Sequence, residues 1–431
     1  MSSLGSNRDF MRLWIAQAVS AFGSRITRVA LPIIAVASLH ESEGVVALLT
    51  SVSLAPAAIL AMLAGGLVDR GRKRRILIAA DLARALVIGS LTLAWALHYL
   101  SIVHVFIVGA VVGAATALFQ IADVAYLPAI VERGELVDGN SKLQTTEAIA
   151  EITGPASAGV LIAALGAPVA VVIDAVTYLW SAVFLGRIRA IEPPPSDISM
   201  GSLSMSISAS MWQTTKDLRI GLRAVFRDPL VRPIVISLII WTASYGFFAA
   251  LYTLFCLRTL HLSQATFGVI IAMGGVGSII GAFLAKPVAK RLGVGTTLLV
   301  SAVIVSLSGM FIPLASGAAA IALLVAQQLI GDGLSVVFNI HAVTLRQTVL
   351  RREVLGRANA AITACVTGVV PFAALAAGAI AELSSIRIAI GVGMAIPLCI
   401  PIVLWPLRNV KQLPSQKLLD LQGASAAETI R

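Results

Sequence analysis

Charged side chains within long apolar runs are the residues of this sequence best placed to do chemistry. Arg25 and Arg28 lie three apart in one such run, and Glu147 and Glu151 lie four apart in another. Both spacings put the pair on one face of a helix. Asp332 stands between two glycines in a third run, Asp123 comes three residues before Tyr126 in a fourth, and Arg258 closes a fifth. A charge at membrane depth costs at least about 2.5–3.5 kcal/mol on insertion scales, so each marks a substrate or ion path by default. Glu151 or Asp332 is the expected partner of Arg25. An acid that alternates between ion pair and protonated form ties a proton to one conformational preference; the alternative is a permanent structural pair. Asp81 and Arg84 read as a local structural pair. Gln17, Gln120, Tyr245, Tyr252, Gln327 and Asn339 are candidates for lining a cavity, with interhelical hydrogen bonding the alternative for each. His40, His98, His104 and His261 fall at loop ends and read as solvated histidines, with pH sensing the alternative.

The elements that must position these residues follow from composition. The 431 residues are 58% hydrophobic and 12% charged, against about 45–50% and about 25% in a soluble domain. At about 20 apolar residues per crossing, this is material for a dozen helices. The fold class is therefore an all-α polytopic membrane protein with 12 transmembrane helices. Spans are expected near 10–38, 44–68, 76–97, 102–125, 143–166 and 168–189, then 230–258, 265–287, 296–316, 318–345, 355–382 and 386–408. Loops after alternate spans are rich in Lys and Arg, notably Arg70 to Arg75, Lys286 to Arg291 and Arg346 to Arg357. That bias puts both termini in the cytoplasm. It also accounts for the net charge of +11 without nucleic acid as a partner. Cys256, Cys365 and Cys399 lie far apart and read as small apolar residues. No cleavable leader pattern precedes the first span.

The chain divides into an N-terminal six-helix bundle (1–190), a cytoplasmic linker (191–229), a C-terminal six-helix bundle (230–410) and a polar tail (411–431). Pro193, Pro194 and Pro195 are expected to stop the sixth helix. The end of the linker, with Trp212, Leu218, Leu222, Val225 and Phe226 among basic residues, reads as an amphipathic surface helix. The halves look duplicated. Gly65, Arg70 and Arg75 correspond to Gly281, Lys286 and Arg291, and Phe119-Gln120-Ile121 to Phe338-Asn339-Ile340. Leu136 and Asn140 likewise correspond to Leu355 and Asn359. Parallel repeats about an axis along the membrane normal are a transporter architecture, with the site at the repeat interface.

Gly65-Gly66-Leu67-Val68-Asp69-Arg70-Gly71-Arg72-Lys73-Arg74-Arg75 resembles the signature loop of the major facilitator superfamily, with its second glycine one place early. Ala30-Leu31-Pro32 and Asp81-Leu82-Ala83-Arg84 are similar to a divergent subgroup that includes enterobactin and macrolide exporters. Gly154-Pro155-Ala156-Ser157-Ala158-Gly159 resembles the antiporter motif. The resemblance implies two pseudo-twofold-related bundles and export of a small amphipathic molecule by alternating access. It further implies protons as the coupling ion, a monomer, and the bacterial inner membrane. Physically, Asp69 and Arg70 would act as a gate: a carboxylate can cap a helix N-terminus, and arginines can bind helix C-terminal carbonyls. Arg72, Lys73, Arg74 and Arg75 would anchor the loop. Gly154 and Pro155 would let the fifth helix bend where the halves meet.

The alternative cargo is a siderophore or other anionic metabolite, bound by cations such as Arg25 and Arg258. An ATP-binding loop, metal-ligand spacing and a nucleophile–base cluster are all missing from the sequence, so no enzyme activity and no cofactor are expected. A non-transporting sensor is the remote alternative, and no soluble output domain supports it.

Overall fold

Asn7 and Asp228 open equivalent helices. Asn7 Oδ1 accepts the Asp9 and Phe10 amides at 3.1 and 3.0 Å, and Asp228 Oδ1 accepts the Leu230 and Val231 amides at 2.9 and 3.0 Å. Each side chain satisfies donors that a helix N-terminus leaves free. The helices they start, α1 (Arg8–Ser38) and α7 (Val231–Thr259), also end alike. Each finishes in a π-turn, Ile34–Ser38 and Phe255–Thr259. The Leu39 amide donates to the Ile34 carbonyl and the Leu260 amide to the Phe255 carbonyl. His40 and His261 then take left-handed φ values of 56° and 53°. All of these pairs are related by a shift of 221 positions in the sequence. His98 does the same after the helix Lys73–Ala96, at φ 59°. These three histidines therefore sit where helices stop, a position that glycine or asparagine more often fills. His104 is different, since its Nε2 meets Ser90 Oγ at 2.9 Å.

The computed structural model describes residues 3–69, 72–132, 135–190, 192, 218–350 and 352–410. Between α1 and α7 run α2 (Glu43–Asp69), α3 (Lys73–Ala96), α4 (Ile102–Ala129), α5 (Leu136–Leu165) and α6 (Ala167–Gly186). After α7 come α8 (Gln264–Leu292), α9 (Val294–Leu314), α10 (Gly317–Arg346), α11 (Arg352–Leu383) and α12 (Ile386–Asn409). Among the described residues the chain forms an all-helical, 12-helix membrane protein, and ten of the helices are long and apolar enough to cross a membrane. A short helix over 218–227 covers the described part of the expected amphipathic segment. The polar tail and most of the central linker lie outside the described residues.

Two compact units are present. The first comprises residues 1–212, 246–272 and 370–390. In it α1 packs on α5 and α6, α3 on α4 and α6, and α2 on α4. One apolar cluster, with Phe10, Leu13, Leu77, Phe119, Tyr126 and Leu185, ties α1, α3, α4 and α6 together. The second unit comprises residues 213–245, 273–369 and 391–431. Ile234, Leu298, Phe338, Ala342 and Leu404 form its core, and the Phe338 ring packs edge-on against Trp241 at 4.6 Å.

The sixth helix corrects one expectation. α6 ends at Gly186, well before the three prolines. Its terminal carbonyls are occupied: Arg74 Nε donates to the Leu185 carbonyl at 2.9 Å, and Arg74 Nη2 to the Gly186 carbonyl. A basic side chain from another helix thus satisfies the end of α6.

Candidate functional site

The α1–α5 contact brings four charges together. Trp14 Nε1 donates to Thr146 Oγ1 at 2.9 Å, and the Lys142 ammonium lies 4.1 Å from the centre of the Trp14 ring. This pairing fixes the register of the two helices. Further along the pair, Arg25 meets Glu147 and Glu151. Its Nη1 stands 2.5 Å from Glu151 Oε2, and its Nη2 bonds Glu147 Oε1. Arg28 reaches the other Glu151 oxygen at 3.4 Å. Arg25 is 2% exposed, whereas the Glu147 and Glu151 side chains are 54% and 57% exposed. A buried arginine therefore holds two carboxylates that remain open to the surroundings.

Gly154 makes this possible. A Cβ at 154 would collide with the Arg25 side chain, standing 2.8 Å from its Cβ. The glycine gives the guanidinium stem its channel between the helices. Gly159 serves another approach: a Cβ there would come within 2.6 Å of Gly268 Cα on α8. The side chain of Pro155 lies outside the described residues.

The other expected residues scatter. Asp332 sits in the π-turn Gln328–Asp332 of α10, in the second unit, with Oδ2 against Gly274 of α8. Gln17 donates to Asp123, joining α1 to α4. Gln120 and Asn339 are exposed, as is Tyr245. Tyr252 and Gln327 are buried, and Tyr252 stacks on Phe248 at 4.3 Å and lies 5.9 Å from Phe267. Tyr252 is thus part of an aromatic packing group. Arg258 binds the α1–α2 connection through Glu43 Oε1 at 3.3 Å, the Glu41 carbonyl at 2.7 Å and the Val36 carbonyl at 3.4 Å. It is a clasp within the first unit, its donors committed to the chain.

In the signature loop, Arg70, the side chain of Asp69 and the surroundings of Gly65 lie outside the described residues. The carboxylate that caps a helix N-terminus there is Glu192, which no motif in the sequence marks. It accepts the Lys73 amide at 2.6 Å and the Arg74 amide at 3.0 Å. Arg74, expected to anchor the loop, binds the carbonyls that end α6. Arg72 is the residue before α3 and makes no side-chain cap. At the corresponding place in the second half, His341 Nε2 donates to the Ala285 carbonyl at 3.0 Å.

Two buried acids complete the interior of the first unit. Asp81 pairs with Arg84, whose guanidinium carbon lies 4.7 Å from the Phe119 ring and 4.1 Å from the Tyr178 ring. Both residues are almost wholly buried. The second, Asp174, is not among the residues that spacing or motif points to. It accepts from Thr27 and, at 3.2 Å, from Thr177. A lone acid in an otherwise apolar span is the signal that could have found it.

Known proteins give a consistent outcome. The Major Facilitator Superfamily profile matches residues 13–367. None of the curated proteins matches the sequence. Among solved structures, a bacterial homologue of the iron transporter ferroportin, in an inward-facing state, aligns with TM-score 0.74 at 14% identity, over 95% of this chain and 100% of that one. A bacterial metal transporter aligns with TM-score 0.68 at 16% identity, over 95% and 100% of the two chains. The nucleoside transporter NupG aligns with TM-score 0.71 at 13% identity, over 93% and 99%. At these identities the likeness is one of fold.

Proposed function

The chain belongs to the Major Facilitator Superfamily and is a membrane transporter of that type, and from that premise we propose that it exports a small amphipathic molecule by alternating access, in exchange for protons. The observation that carries this reading is the four-charge cluster in which buried Arg25 holds the exposed Glu147 and Glu151 beside Arg28. A carboxylate that faces the surroundings can take up a proton or meet a cationic cargo. Either event weakens its hold on Arg25, which is then a buried cation short of a partner and must be compensated by rearrangement. That differential energy between two states is what coupling requires. Glu151 is the better coupling residue of the two because it bridges both arginines.

The same geometry favours a neutral or cationic amphipathic cargo over an anionic one. Arg25 is already neutralised by two carboxylates, and Arg258 is spent on Glu43 and two carbonyls. Gating at the signature loop is supported by Glu192 and Arg74, which join α3 to the end of α6 and the residues after it through two charge-assisted bonds each, all of which a helix movement would break. The distribution of Lys and Arg supports both termini in the cytoplasm, and the family resemblance supports the bacterial inner membrane and two halves of six helices working as one monomer.

The test is cargo-stimulated proton flux in proteoliposomes for Glu147→Gln, Glu151→Gln and Asp332→Asn, read against an export panel of drugs and siderophores with and without an uncoupler. Loss of coupling in Glu151→Gln, with cargo binding retained, is the expected result. Normal coupling in all three variants overturns the proton assignment, and export confined to anionic siderophores overturns the cargo class.

A further inference from the structure

Four arginines converge where α1 and α3 begin and α6 ends. Arg12, Arg74, Gly186, Arg187, Ile188 and Arg189 line an open cavity of about 550 Å³. The bonds already made there leave much of the positive charge standing. Arg74 donates to the Leu185 and Gly186 carbonyls, and Arg12 to the Arg187 carbonyl at 2.7 Å and to Asp9 at 2.8 Å. Asp9 also accepts the Arg189 amide at 3.1 Å, and Glu192 is held by the Lys73 and Arg74 amides. Among the described residues, four guanidinium groups thus stand with two carboxylates, and the Arg187 and Arg189 side chains are exposed.

The surface beneath this cavity has a matching shape. Val172, Val176, Leu179, Trp180 and Val183 of α6 are all exposed. Their spacing of three and four residues makes one stripe along the helix, and Arg187 continues it at the charged end. Trp180 stacks on Phe184 at 4.7 Å, and the Arg187 guanidinium lies 5.6 Å from the Phe184 ring. A stripe of apolar residues, then an aromatic pair, then a guanidinium cluster is the profile of a lipid molecule from tail to head.

We propose that this cavity binds the phosphate headgroup of an anionic phospholipid, with its acyl chains along the α6 stripe. Guanidinium forks match phosphate oxygens in pairs. Basic pockets at the ends of membrane helices attract anionic headgroups, and tryptophan settles at headgroup level. A free phosphate would engage the arginines but make no use of the stripe. Bound there, the lipid braces α1, α3 and the end of α6 at the place where Arg74 and Glu192 already join α3 to the end of α6, and Arg12 and Asp9 join α1 to the residues after it.

The experiment uses the full chain in detergent micelles. Native mass spectrometry and thermal unfolding are followed with phosphatidylglycerol, with phosphatidylcholine of the same chains, and with inorganic phosphate. Phosphatidylglycerol is expected to bind and to raise the unfolding midpoint, while the other two leave it in place. Arg187→Gln with Arg189→Gln should weaken phosphatidylglycerol binding roughly 30-fold, about fivefold per charge removed. Both side chains are exposed, so the variant keeps its packing; the corresponding Lys pair, which keeps the charge and loses the fork, should bind more weakly than the parent and more tightly than the glutamine pair. Equal stabilisation by phosphatidylcholine overturns the headgroup assignment. An equal shift from inorganic phosphate makes this a soluble-anion site instead. Unweakened binding by the glutamine pair, or a lysine pair that binds no better than the glutamine pair, also defeats the proposal.

Discussion

Alanine at position 154 would place one methyl group where α5 has no room for it. Its Cβ would stand 2.8 Å from Arg25 Cβ and nearer still to Cγ. Carbon atoms in contact sit about 3.5–4.0 Å apart, so α1 and α5 must separate locally by roughly 0.7–1.2 Å. The obstacle is the root of a side chain fixed to the α1 backbone, so turning the far end of Arg25 does not clear it. Overpacking by one methylene typically costs about 1–3 kcal/mol, and the same displacement draws Arg25 off its 2.5 Å bridge to Glu151. Gly154→Ala should therefore lose about 1–3 kcal/mol of stability and lose transport with it. Arg25→Gly removes both obstructing atoms. In that background alanine at 154 should cost nothing further, giving a coupling energy equal to the clash itself. Unfolding equilibria of the four proteins in mixed micelles measure the cycle. If the two losses simply add, the glycine does not serve the arginine, and the account of how Arg25 reaches its glutamates is wrong.

Asp81→Asn leaves Arg84 as a buried cation between Phe119 and Tyr178 and should cost about 3–5 kcal/mol, whereas Asp81→Leu with Arg84→Met should recover most of it; thermal unfolding separates the two. Glu192→Ala removes the cap from α3 and should cost about 1 kcal/mol, with Glu192→Gln costing less, read as faster amide exchange at Lys73 and Arg74. Arg258→Gln breaks a partly exposed clasp worth up to about 1 kcal/mol. Its stability should barely change, while a cysteine placed at Ser42 should label faster.

The helices are legible in the sequence because a membrane imposes its demand on each one separately. A crossing needs its own run of apolar residues, so spans expected at 102–125 and 168–189 appear as Ile102–Ala129 and Ala167–Gly186. Where a boundary is decided by another helix, apolar runs and prolines mislead. Proline is an available stop for the sixth helix, but Arg74 ends it sooner by binding carbonyls 111 and 112 positions away in sequence.

The site divides along the same line. Arg25 with Arg28, and Glu147 with Glu151, are spacings internal to one helix, and each pair is plain from the order of residues alone. That the two pairs meet depends on α1 lying against α5, which a single sequence does not display. Glu192 is hidden for a stronger reason, since its partners are backbone amides and carry no side-chain identity at all. Asp174 escapes notice because its donors, Thr27 on another helix and Thr177 on its own, are residue types with no charge to advertise the pairing. The duplication offers the one route around this difficulty. Ser38-Leu39-His40 and Thr259-Leu260-His261 carry the same backbone turn, so a short string that repeats at a fixed shift reports a shared geometry even where its side chains make no contact. The signature loop lacks that support: Asp69 corresponds to Ala285, whose carbonyl is taken by His341. The two halves therefore differ at the position where the first carries a charge, and coupling and gating functions are best sought in that first half.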